Sequence, residues 1–289
     1  MIGLLQVDGK WPNLALMHLA SWLRSRGEDV RRITALEQAQ CDAVYAAKVF
    51  TASSAAYVCD DAIRGGTGWA DWRELPQLPD EAEHSYPAYD MWKCDVAMGF
   101  LTRGCIRHCP FCVVPDKEGH IHHHAHLSEW WHGQGTIRLL DPNLTAHPDC
   151  LGYLAELAAS QAKVDVSQGI DARLVTPEIA GALRSLRYAK QLHTAWDRMR
   201  DEAMVLRGMR LLREQFGKRR VMAYVLVGYE TTPEEDMYRI EKLRELGIDP
   251  FVMAFDRTIP YQRKLQRWVN HKAVFYSVPW REYQMGDVV

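Results

Sequence analysis

Three cysteines, Cys105, Cys109 and Cys112, crowd into the stretch GCIRHCPFCVV, residues 104–114, of a 289-residue chain that has only seven. Three residues separate the first pair and two the second. An iron–sulfur cubane has four irons and ordinarily takes four thiolates. Three thiolates from one short loop would hold three irons and leave the fourth open. An open metal position lets an outside molecule bind directly, as the vacant site of a catalytic zinc does. A zinc knuckle is the other chemistry this spacing permits, with His108 or a residue from the 120s completing a tetrahedron. An odd, clustered count reads as ligation rather than a disulfide framework. Cys41, Cys59, Cys94 and Cys150 are scattered and read as core packing.

Two further stretches carry reactive side chains. HIHHHAH, residues 120–126, holds His120, His122, His123, His124 and His126. They alternate too closely for all to face one metal, although a pair could, and a solvated loop is the expectation. The tail QRKLQRWVNHKAVFYSVPWREYQ mixes arginine with aromatics, a composition that can stack on bases. With a net charge of only −2, packing is the expectation for it.

The elements that must position these residues are legible in outline. IGLLQV reads as a buried strand. It leads into a helix over LALMHLASWLRSRG, capped by Asn13 and ended by Gly27, with Leu16, Leu19, Ala20 and Leu23 on one face. DVRRI and CDAVYAAKVF read as further strands of a small open α/β sheet. Residues 64–90 are rich in Gly and Pro and read as a connector, with the boundary near residue 95. Beyond it DVAMGFL, TIRLLD, KVDVSQ, KQLHT, RVMAYVLV and PFVMAF alternate with helical runs marked by Leu151, Leu154 and Ala158, by Ile179, Leu183 and Leu186, and by Val205, Met209, Leu212 and Phe216. Thr232, Pro233 and Glu235 open the last crossover helix as a capping box.

Six strands joined by five crossovers predict an α/β fold: a partial parallel (β/α)6 barrel preceded by a small, shortened Rossmann-like domain. The domains expected are 1–95, 96–265 and a tail, 266–289, packing on the barrel. The cysteine loop follows the barrel's first strand, where a catalytic loop belongs. An apolar share of 47% and a charged share of 25% fit an ordinary globular chain. MIGLLQVDGKWP lacks the features of a signal peptide, and no apolar run is long enough to span a bilayer. A cytoplasmic protein with reduced cysteines and no membrane partner is expected.

GFLTRGCIRHCPFCVVPDKEG resembles the radical S-adenosylmethionine (SAM) superfamily, whose signature is Cys-x3-Cys-x-aromatic-Cys after the first barrel strand; Phe111 stands at the aromatic position. TRGC and VVP…EG look most like the branch containing tRNA methylthiotransferases and cobalamin-associated enzymes. The resemblance implies a 4Fe-4S cluster on Cys105, Cys109 and Cys112. It also implies reductive cleavage of SAM to a 5′-deoxyadenosyl radical and a one-electron donor such as flavodoxin or ferredoxin. It leaves the substrate unnamed, and it assigns no side chain as a general base.

LLDPNLTA stands where relatives bind the SAM amino group, which implies Asp141 and Asn143 as acceptors. In VSQGIDARLVTPE, Arg173 would meet the SAM carboxylate, or else form a salt bridge. In LHTAWDRMRDE, Asp197 would touch the ribose or cap a helix. In VLVGYETTPEED, the backbone at Gly228 would meet the adenine. Residues 1–66 resemble a shortened cobalamin domain, but Asp-x-His-x-x-Gly is missing, so a structural domain is expected ahead of bound cobalamin. Cys41, Cys59 and Cys94 match the count, though not the spacing, of a methylthiotransferase's second cluster. The rival class is a zinc-stabilised binding module, its nucleic-acid contacts undecided.

Overall fold

The computed structural model describes residues 1–285. Its contacts divide the chain into two units that interleave along the sequence. The first comprises Met1–Leu101 with His124–Arg138, and the second comprises Thr102–His123 with the residues from Leu139 on. The contacts therefore do not divide at residue 95.

In the first unit, four parallel strands lie in the order Val30–Arg32, Ile2–Gln6, Ala43–Ala47, Ile63–Gly65. Helix Leu14–Ser25 starts where expected, because the Asn13 side chain accepts from the Leu16 amide at 3.1 Å. It buries Leu16, Met17, Leu19, Ala20 and Leu23. Each large apolar side chain so covered is worth about 1.5–3 kcal/mol. The presumed connector is structured: it contributes strand Ile63–Gly65 and short helices Asp80–Glu83 and Tyr89–Trp92. Strand Val96–Gly99 runs beside Thr136–Leu139, and Trp130 lies so close over Gly99 that a Cβ there would stand 2.3 Å from its ring.

In the second unit, Lys163–Val166 pairs in parallel with Arg187–Tyr188. Leu192–Ala195, Val221–Val227 and Asp249–Ala254 form a parallel three-stranded sheet. The mixed α/β class and parallel pairing agree with expectation. Between the two sets the described residues show a single parallel bridge, Ile170 to Thr194.

Alternation fixes the faces of the long strand. Val221, Ala223, Val225 and Val227 are at most 1% exposed, while Met222 and Leu226 on the opposite face are 8% exposed. His193 lies on that opposite face, in register with Met222. Helices Cys150–Ala159, Pro177–Ser185, Glu202–Phe216 and Pro233–Leu246 follow the strands. On the first of them the buried face is Cys150, Tyr153, Leu154 and Leu157, shifted from the Leu151–Leu154–Ala158 face expected. Thr232 and Glu235 close their box reciprocally, at 2.9 and 3.3 Å.

The tail is helical over Pro260–Asn270, Lys272–Ser277 and Trp280–Met285. Trp268 and Phe275 are buried against each other, with ring centroids 4.9 Å apart. Asn270 accepts from the Val252 amide and donates to its carbonyl, at 2.8 and 2.9 Å, which closes the sheet's outer edge. Trp268 and Phe275 of the tail are thus spent on packing. Residues 286–289 of the proposed tail lie outside the described residues.

Candidate cluster and SAM site

The cysteine loop is a closed excursion from a two-residue antiparallel stem, Thr102–Arg103 paired with His122–His123. Two of the histidines expected in a solvated loop are therefore the returning strand of the stem. His123 is further fixed by the Tyr153 hydroxyl, 2.7 Å from its Nδ1. Gly104 turns out of the stem at φ +79°, where a Cβ would stand 2.2 Å from the His120 carbonyl oxygen. The Cys105 amide donates to the Gly119 carbonyl at 3.1 Å, and the Cys112 amide to the Cys109 carbonyl at 2.9 Å. A short helix, Val114–Glu118, follows.

Burial pushes Cys109 and Cys112 up, Cys105 adds to both, and Arg198 and Arg173 pull Cys109 back. Among the described residues no three His, Cys, Asp or Glu side chains gather tightly enough for a single metal ion. The donor set of three sulfurs, with cationic Arg173 and Arg198 beside Cys109, fits the cluster.

Loops that follow the strands buttress this excursion. Asp141 is 2% exposed, and its Oδ1 accepts from the Thr102 amide and hydroxyl at 2.6 and 2.8 Å, locking the stem's first residue. Asn143 donates from Nδ2 to the Cys105 sulfur at 3.3 Å and accepts from Thr145 at 3.1 Å. Thr145 in turn accepts from the Asp171 amide.

Arg173 grips Asp171 with Nε and a terminal nitrogen, at 2.7 and 2.9 Å, and reaches Asp201 at 2.8 Å. Arg107 of the cysteine loop joins Asp171 at 3.1 Å. Burial alone would raise the Asp171 carboxyl, but Arg173, with Arg107 behind it, holds it below the usual carboxylate range. Arg107, Asp171, Arg198 and Asp201 were missed in the sequence. For all but Arg107 a signal was present, since DAR and DRMRD put opposite charges close together after strands, but charge runs of that kind are common on surfaces.

Asp197 and Gly228 follow strands of the three-stranded sheet, and Phe111 belongs to the cysteine loop. Asp197 accepts from the Leu226 amide at 2.9 Å, a strand-to-strand link rather than a helix cap. Desolvation pushes its carboxyl up against that hydrogen bond and the charges of Arg239, Arg173 and Arg198. Gly228 has φ +78° and donates its amide to Thr231 and Asp236, each at 3.2 Å. Phe111 meets Tyr229 edge-on at 5.1 Å, and Tyr229 meets Phe255 at 4.9 Å. Three of the scattered cysteines behave as packing: Cys150 is buried, and Cys41 and Cys59 lie against the first unit's core.

No family model and no curated protein matches the chain. Among solved structures, Streptococcus suis SuiB bound to its precursor peptide SuiA aligns over 69% of this chain and 50% of that one, at 14% identity and a TM-score of 0.45. The chain thus spans half the length of that structure, a remote likeness. No described helix is long and apolar enough to cross a membrane.

Proposed function

We propose that the protein is a radical SAM enzyme whose 4Fe-4S cluster is held by Cys105, Cys109 and Cys112 on a partial (β/α)6 barrel. One observation carries the reading. Three thiols within eight positions stand on a stem-closed loop that polar side chains of the following strand loops hold in place. When bound, the cluster supplies one electron to the SAM sulfonium, releasing methionine and a 5′-deoxyadenosyl radical that abstracts a hydrogen atom.

The chain's own side chains bind and orient. Asp141 fixes the stem, and Asn143 sets Cys105 through its sulfur contact while standing at the position implied for the SAM amino group. Arg173 and Arg198 offset the charge of a thiolate-bound cluster, with Arg173 also the cation nearest in kind to a SAM carboxylate. Phe111 and Tyr229 would wall the nucleoside side, and Asp197 and the turn at Gly228 would meet ribose and adenine. The electron comes from a small donor protein of the flavodoxin or ferredoxin kind. The first unit would serve as a shortened Rossmann-like structural domain rather than a cobalamin carrier.

Anaerobic reconstitution with iron and sulfide tests this. The expected product is a brown protein that, with dithionite, converts SAM to 5′-deoxyadenosine and methionine. Cys105→Ala, Cys109→Ala and Cys112→Ala should each reduce that conversion to background. A colourless, zinc-loaded protein inert to SAM would establish the binding-module class instead.

A further inference from the structure

Helix Pro233–Leu246 begins just after the turn at Gly228 and sends two charged side chains inward. Asp236 and Arg239 are both 0% exposed, in a helix whose other charges face solvent. A charge taken wholly out of water is costly unless every polar atom it brings is used. Here most are used on backbone. Arg239 donates to the Trp196 carbonyl at 2.8 Å, to the Leu226 carbonyl at 2.9 Å and to Asp236 at 2.6 Å. Asp236 accepts from the Gly228 amide at 3.2 Å and from the Thr231 hydroxyl at 2.7 Å.

The places held are telling. Register pairing between the two strands ends at Ala195 opposite Tyr224, so the carbonyls of Trp196 and Leu226 lie just past the regular ladder. Backbone groups there need other partners, and one guanidinium serves both. Trp196 immediately precedes Asp197, and Leu226 lies two residues before Gly228. From the far side Gln262 backs Gly228 so closely that a Cβ on the glycine would stand 1.9 Å from its amide nitrogen.

We propose that the Asp236–Arg239 pair is a positioning device for the nucleoside end of the site, fixing the turns at Asp197 and Gly228 before SAM arrives. This rests on the radical SAM reading. Neither residue touches the ligand; both act through the backbone they hold.

The test is SAM affinity, by equilibrium dialysis of cluster-loaded protein, set beside iron content and thermal midpoint. D236N and R239K should weaken SAM binding by about tenfold or more while iron content stays at the wild-type value. Because breaking a buried pair destabilises on its own, the deciding variant is the apolar double, Asp236→Leu with Arg239→Met, a replacement that cores often tolerate. Its midpoint should lie no lower than that of the less stable single variant, because no uncompensated buried charge remains, while SAM affinity stays low. A double variant that binds SAM like wild type makes the pair merely structural and overturns the inference.

Hydrogen exchange on the wild-type protein needs no variant to fold. The Gly228 amide should be protected without SAM, and free exchange there would also overturn the proposal. Wild-type protein that takes up no iron or binds no SAM would instead bring down the functional reading, whatever the Gly228 amide does.

Discussion

At the scale of single residues, Asp197 makes the most decisive test. Its carboxyl is pushed above the ordinary value of 3.8 by desolvation. Just above that pH the folded chain holds a proton that the unfolded chain has released. Stability from this group is therefore present at low pH and falls as pH rises through the folded value. Asp197→Asn keeps an acceptor for the Leu226 amide and removes the penalty. It should be at least as stable as wild type at pH 8 in urea melts, with the difference shrinking toward pH 4. Its SAM affinity should fall all the same, because an amide cannot replace a carboxylate at a ribose. A variant that is less stable at pH 8 than at pH 4, relative to wild type, would contradict the desolvated carboxyl.

Among the elements, the stem decides whether the cysteines form a site at all. Two residue pairs are a short ribbon, so the loop depends on what pins it: Asp141 on Thr102, Tyr153 on His123, and the left-handed turn at Gly104. Gly104→Ala puts a methyl group into the His120 carbonyl and forces an L-residue into a conformation costing about 1–2 kcal/mol before the clash is counted. The expected outcome is a lower urea midpoint and loss of most iron on reconstitution, with all three cysteines intact. Wild-type iron content in that variant would show that the turn is not what presents the thiols. The histidine run acquires a role at this scale too, as the return strand that lets eighteen residues, 104–121, leave and rejoin one place.

For the molecule as a whole, the interleaving of the two units governs how it can be cut. The first unit takes His124–Arg138 only after the cysteine loop has been made. That segment supplies Leu127, Trp130 and Ile137, each no more than 2% exposed. A fragment of residues 1–95 would lack all three, together with the strand Val96–Gly99. It should show no cooperative thermal unfolding by circular dichroism, whereas the full chain should. A stable, cooperatively melting 1–95 fragment would mean that this unit needs no later sequence.

The sequence by itself determined the local things. The cysteine spacing, the caps at Asn13 and Thr232, and the apolar strand run RVMAYVLV depend on neighbours a few positions away, so they could be read directly. Tertiary structure decided what each polar side chain is spent on. Asp141 turns to Thr102, Arg173 to Asp171 and Asp201, and Asp236 with Arg239 to two strand ends. The helix TPEEDMYRIEKLREL gives no sign of which two charges are buried. Tertiary structure also moved the buried face of Cys150–Ala159 and joined residues 124–138 to the first unit. Those outcomes depend on partners far away in the chain, and burial is a property of the assembled core rather than of any one residue.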